Sequence, residues 1–152
     1  MAVACWHEGM SEGYRVFEHT GDLGLEVWAA DPARLHGLAA VALQAQMFQA
    51  REDAPPPPPE VERRLALEGR DPADLLVHWL NTTLLESELA QAVWTRAEIQ
   101  TLGARSLAGS VAGPPRDRAR HVYLREIKAV SHHGLELDLT PGACRCRLIL
   151  DL

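Results

Sequence analysis

Two helix starts spelled the same way constrain this fold more than any other feature of the chain. Asp31-Pro32-Ala33 and Asp71-Pro72-Ala73-Asp74 each follow a strand-like alternation of apolar and polar residues. An Asp just before a helix accepts hydrogen bonds from the free N–H groups of the first turn, and a proline at the next position has no N–H to lose. Asp74 falls at the third helical position, where negative charge meets the positive end of the helix dipole. Behind the first start, Leu35, Leu38 and Ala42, with Ala39, Leu43 and Met47, form an apolar stripe that ends near Gln49. Behind the second, Leu76, Leu80 and Leu84 form a stripe with Leu75 and Trp79 beside it, running to about Leu89. The shared opening hints at a pseudo-repeat.

The remaining chain reads as strands. Tyr14 to Glu18 alternates, His19-Thr20-Gly21-Asp22 turns, and Leu23 to Ala29 alternates again with Leu23, Leu25 and Val27 on one face. Glu60 to Leu67 puts Val61, Arg63, Leu65 and Leu67 on one face. After Ala92 the strands are Val93 to Thr101, Leu107 to Val111, Val122 to Ser131, Leu135 to Leu139 and Cys144 to Leu150. Gly103, Gly113-Pro114-Pro115, Gly134 and Pro141-Gly142 supply turns between them. The expected class is α+β: two helices packed on a mostly antiparallel β-sheet in two layers. The length of 152 residues suits one domain, expected over residues 14–152, with residues 1–13 as a loose tail. Five consecutive prolines, Pro55 to Pro59, make a stiff polyproline II spacer; their functional reading is a ligand for an SH3-like or WW-like groove, but such runs are more often connectors.

Charge excludes one large class of function. Neutralising a nucleic-acid backbone needs a cationic surplus, and the net charge here is −6. Arg116, Arg118 and Arg120 are a local basic stretch, and Arg63-Arg64 another, but neither outweighs the acidic total, so little direct nucleic-acid binding is expected. Three cysteines, Cys5, Cys144 and Cys146, without framework spacing suit a reducing cytoplasm. No apolar run is long enough to span a membrane, and the first residues lack the pattern of a secretory signal.

The candidate chemistry lies at four places. In His19-Thr20-Gly21-Asp22 a carboxylate stands in a tight turn, oriented to coordinate a hard cation or simply to brace its own turn. Asp151 closes an apolar terminal strand beside Leu152; alone it is an ordinary strand-end acid, and beside Asp22 it would complete an oxygen-rich cation site. Lys128 is the one lysine in a chain with fourteen arginines, which marks it as a candidate place where a compact ammonium is needed. Alternation puts Glu126, Lys128 and Val130 on an outward face, where Glu126 and Lys128 could pair, and Ile127, Ala129 and Ser131 on the other. His121, His132 and His133 invite a proton-transfer reading, although no nucleophile can be placed within reach of them. Cys144 and Cys146 share one strand face; small core thiols explain them better than zinc, even if Cys5 and His7 joined. Phosphate loops, nucleophile elbows and zinc-protease motifs are missing.

Four blocks in this order and spacing resemble the archease family. They are His19-Thr20-Gly21-Asp22, then Leu75-Leu76-Val77-His78-Trp79-Leu80-Asn81, then Glu126-Ile127-Lys128-Ala129-Val130-Ser131-His132-His133, and the closing Leu150-Asp151-Leu152. The family pattern has Ala where Gly21 stands, and Thr and Tyr where Ser131 and His132 stand. The resemblance implies an accessory protein of an RtcB-type tRNA-splicing RNA ligase, one that promotes guanylylation of the ligase and its multiple turnover and is not itself an enzyme. It implies a divalent metal, calcium, held by Asp22, Asp151 and the backbone of Leu152. GTP would be consumed by the ligase. Lys128, His19 and Glu126 are then the candidates for the activating role. A stand-alone metal-dependent phosphoester hydrolase, or a chaperone-like binding module with a structural metal, are the rival functions.

Overall fold

The first two strands form a hairpin that carries the rest of the main sheet. In a computed structural model that describes residues 12–152, β1 (Gly13–His19) pairs antiparallel with β2 (Asp22–Ala29). The helix α1 (Pro32–Ala45) follows, then a short β3 (Phe48–Ala50), β4 (Val61–Glu68) and the helix α2 (Pro72–Ala90). The second half holds β5 (Arg96–Leu102), β6 (Ser106–Gly113), β7 (His121–Tyr123), β8 (Ala129–Asp138) and β9 (Cys144–Asp151). The expected loose tail, apart from Glu12 and Gly13, lies outside the described residues; Gly13 is already in β1, opposite Trp28.

Both helices start as their sequences dictate. The Asp31 carboxylate accepts from the Arg34 N–H at 2.9 Å, and the Asp71 carboxylate from the Asp74 N–H at 2.8 Å. Asp74 in turn accepts from the Arg70 N–H, so the second start is capped from both directions.

The strands are mostly antiparallel, as expected for the α+β class, and they divide into three sheets: β1-β2-β9-β8, β4-β6-β5 and the small pair β3-β7. The helices pack on both larger sheets. α1 meets β2 and β9 on one side and β5 on the other; α2 meets β8 on one side and β4 and β6 on the other. Each helix therefore buries more than one stripe. Leu35, Ala39, Ala40, Ala42 and Leu43 of α1 are fully buried, as are Leu76, Trp79 and Leu80 of α2.

Several polar groups trapped in this core are paired, although His36 Nε2 and Gln44 Nε2 are not. The Trp79 indole N–H donates to the His36 carbonyl, and that of Trp94 to the Thr83 carbonyl, each at 2.9 Å. Gln44 accepts from the Ser87 hydroxyl and from the Trp94 backbone N–H.

Four details depart from the expectations. The first helix stops at Ala45, because Phe48–Ala50 is drawn off to pair with His121–Tyr123. The span Val122 to Ser131 is not one strand: the backbone from 124 to 128 is irregular and separates β7 from β8. Gly113 closes β6 opposite Val61 instead of opening a turn. Gly134 lies inside β8, with φ at +71°, in a bulge where the four residues 132–135 stand against the single Leu148.

Candidate functional site

One end of the four-stranded sheet gathers the first and last motifs. The two-residue turn Thr20-Gly21 joins β1 to β2, and Gly21 takes φ +75°, a backbone that a residue with a Cβ adopts at a cost. This turn sets His19 directly opposite Asp22. In β2, Leu23, Leu25 and Val27 face the core, so Asp22 faces the other side of the sheet. β9 lies beside β2 with Leu23 opposite Leu150 and Gly24 opposite Ile149. The β2–β9 register ends at Leu23–Leu150, and Asp22 and Asp151 are the next residue on each strand. On the far side of β9, Asp151 stands opposite Ala129, and its carbonyl accepts the Lys128 N–H at 2.8 Å. His19, Asp22 and Asp151 thus share one transverse row on the face turned away from the helices, and Lys128 abuts its end.

The electrostatics of this row are unbalanced. Carboxylates placed directly opposite on neighbouring strands have Cβ atoms about 4.5–5.5 Å apart and repel. His19 Nδ1 lies 3.9 Å from an Asp22 oxygen. That nitrogen is buried and has no hydrogen-bond partner. Two carboxylates and a main-chain oxygen of Leu152 would form a donor set of the hard-oxygen type that calcium and magnesium take. Among the described residues no three His, Cys, Asp or Glu side chains converge tightly enough to hold a metal by themselves. A cation at this row would need main-chain oxygens as well, which suits the Asp22, Asp151 and Leu152 set and not a zinc-type centre.

The Lys128 segment is placed differently from its alternation. Ile127 and Val130 are both buried, at 4 and 3 % exposure, while Ala129 pairs with Asp151 on the outer row. Val130 is therefore a core residue and Ala129 is not; the irregular stretch from 124 to 128 breaks the two-residue period. Glu126 and Lys128 are exposed, and no ion pair joins them among the described residues. Both line an open groove together with Asn81 and Leu85 of α2 and Phe48 of β3. Asn81 belongs to the second motif, and its part in the site had no signal in spacing: its amide makes a double hydrogen bond to the backbone of Val130.

The other candidates disperse. His121 sits in β7, edge-on to the Phe48 ring at 6.2 Å, and burial lowers its pKa. His132 reaches Asp74 at 3.0 Å from the bulge in β8, and His133 is exposed. The three rings do not form one site. The Asp74 carboxyl is held well below the usual carboxylate range, chiefly by the Arg70 N–H, then by the Arg70 guanidinium and His132. Cys144 and Cys146 are core thiols, and burial pushes Cys146 up to about 12. Cys5 and His7 lie outside the described residues. The prolines from Pro55 to Pro59 are exposed, and the Arg120 guanidinium donates to the carbonyls of Pro55 and Pro56 at 2.5 and 2.6 Å.

Comparison with known proteins decides the family. The model of the archease protein family (MTH1598/TM1083) matches residues 14–152. The chain belongs to the archease family. The archease of Methanopyrus kandleri is 30% identical over 138 residues, covering 89% of this chain and 96% of that protein. The archease of Methanosarcina mazei is 27% identical over 143 residues, covering 91% and 95%. The solution structure of protein 1598 from Methanobacterium thermoautotrophicum has the same fold, with a TM-score of 0.66 at 23% identity over 92% of this chain and 99% of that one. Among the described residues of this archease family member, no helix is long and apolar enough to cross a membrane.

Proposed function

We propose that this archease family member activates an RtcB-type tRNA-splicing RNA ligase, promoting its guanylylation and repeated turnover without being an enzyme itself. The observation that carries the reading is the convergence of Asp22, Asp151 and Lys128 on one sheet end from three parts of the chain. Asp22, Asp151 and the backbone oxygen of Leu152 would hold a divalent cation there, calcium before others. Such a cation, when bound, neutralises charge that develops on phosphate during nucleotidyl transfer. The protein's own residues would do the rest. The two carboxylates fix the position of the charge relative to the sheet, and His19 orients Asp22 from the facing strand. Lys128, whose ammonium has no ion-pair partner among the described residues, would project from the neighbouring segment toward a phosphate or an acidic group of the ligase, with Glu126 beside it on the same rim. GTP is consumed by the ligase. The net charge of −6 suits contact with a positively lined ligase cleft more than with free RNA.

Guanylylation of the purified ligase, followed with labelled GTP, tests the proposal. Wild-type protein should raise the guanylylated fraction and support many ligations per ligase. Asp22→Ala, Asp151→Ala and Lys128→Ala, each shown to be folded, should lose most of that effect. Equal stimulation by all three would refute it. Two rivals give different results in the same series. A stand-alone phosphoester hydrolase would turn over model phosphoesters with metal and no ligase. A binding module with a purely structural metal would lose activity only in proportion to its loss of folded protein.

A further inference from the structure

Between two irregular segments, β8 is tied to β9 by very little. The backbone before it, from 124 to 128, has no regular structure, and the bulge over residues 132–135 follows it. Only Ala129, Val130 and Ser131 pair in register there, opposite Asp151, Leu150 and Ile149. β8 is also the edge of its sheet, so one side of this short ladder has no strand beside it. On that open side Asn81 acts as a one-residue strand. Its side-chain oxygen accepts the Val130 N–H at 2.8 Å, and its side-chain NH₂ donates to the Val130 carbonyl at 3.1 Å. Val130 is buried, so without this amide two backbone groups would be left unpaired away from water. Val130 is the middle rung. The rung above it is Ala129–Asp151, and the next residue, Lys128, donates its N–H to the Asp151 carbonyl at 2.8 Å.

We infer that Asn81 is a positioning residue: from α2 it staples the start of β8 and so sets Lys128 and Asp151 in their mutual register. Its consequence for activation rests on the ligase reading proposed above, but its consequence for local order does not. An alanine leaves both Val130 groups unpaired. An aspartate keeps the acceptor for the Val130 N–H and loses the donor.

Site-resolved amide exchange and ligase guanylylation test this together, on the full chain, with Asn81→Ala, Asn81→Asp and a core control, Trp79→Phe. In Asn81→Ala the Lys128 amide should exchange about tenfold faster or more relative to the amides of β2, while in Trp79→Phe the two should change together. Asn81→Asp should fall between wild type and Asn81→Ala, and it carries the test if the alanine variant does not fold. Stimulation of the ligase by Asn81→Ala should drop to the level of Lys128→Ala, and the double variant should lose nothing further. Exchange at Lys128 that merely follows β2 in both Asn81 variants, or full stimulation by a folded Asn81→Ala, overturns the inference. If Asp22→Ala, Asp151→Ala and Lys128→Ala all stimulate as well as wild type, the ligase reading fails, and the exchange result alone decides the role of Asn81.

Discussion

Asp22 and Asp151 are the residues next to the Leu23–Leu150 pair that ends the β2–β9 ladder, on the face away from the helices. Side chains so placed on adjacent strands are neighbours, and like charges there are unfavourable. The structure retains the pair at the mouth of a tight turn that also holds His19.

If a divalent cation relieves that repulsion, it stabilises the folded chain by mass action, since the unfolded chain holds no such row. Calcium should raise the melting temperature of the wild-type protein in a concentration-dependent way. Asp22→Asn and Asp151→Asn should each abolish that rise, and in the presence of a chelator each should melt no lower than wild type. A calcium response that persists in both variants would place the cation elsewhere.

Gly21→Ala should destabilise the protein by about 1–2 kcal/mol, the usual penalty of a Cβ in left-handed backbone. The φ of +75° is the reason, since the space around a new methyl group is open. The family pattern carries Ala at this place, so a shift of the urea midpoint close to zero would mean that the turn can re-form with a different backbone.

His36 should make stability depend on pH. Burial lowers its pKa from the ordinary 6.5, against a smaller opposing effect of the Pro32 carbonyl. Nδ1 donates to that carbonyl at 2.7 Å, and Nε2 is buried without a partner. The unfolded chain therefore binds a proton more readily than the folded one. Stability is whole above the unfolded value of 6.5 and falls as the pH drops through it, by at most about 1.4 kcal/mol per pH unit. The loss due to Asp74 lies lower, beginning only as the pH approaches the ordinary carboxylate value of 3.8. Urea midpoints at pH 7.5 and pH 5 should differ clearly in wild type and much less in His36→Asn, which retains a donor for Pro32.

Trp79 should be among the costliest core positions. Trp79→Ala removes a fully buried ring and should cost about 3–5 kcal/mol. Trp79→Phe fills most of the space but leaves the His36 carbonyl without its indole donor, at about 1–3 kcal/mol. Denaturant titrations separate the two, and equal losses would show that the hydrogen bond contributes little.

Local rules made the helices legible. Asp31, Asp71 and the prolines after them act within one turn of chain, and both caps are formed as read. The apolar stripes are buried for the same reason: a helix period depends only on neighbouring residues. Tight turns at Thr20-Gly21 and Pro141-Gly142 were equally local.

What tertiary structure alone decided involves partners far apart in the chain. β3 and β7 have three residues each and exist because they find one another. The phase between Ile127 and Val130 slipped because α2, through Asn81, holds Val130 against an irregular stretch that no two-residue period describes. The sequence by itself supplied two acids and a lone lysine, in motifs that resemble a family. Their meeting at one sheet end depends on β9 lying between β2 and β8, a choice made by the burial of Leu23, Val130 and Leu150 in a shared core, which no stretch of chain near Asp22 or Asp151 encodes.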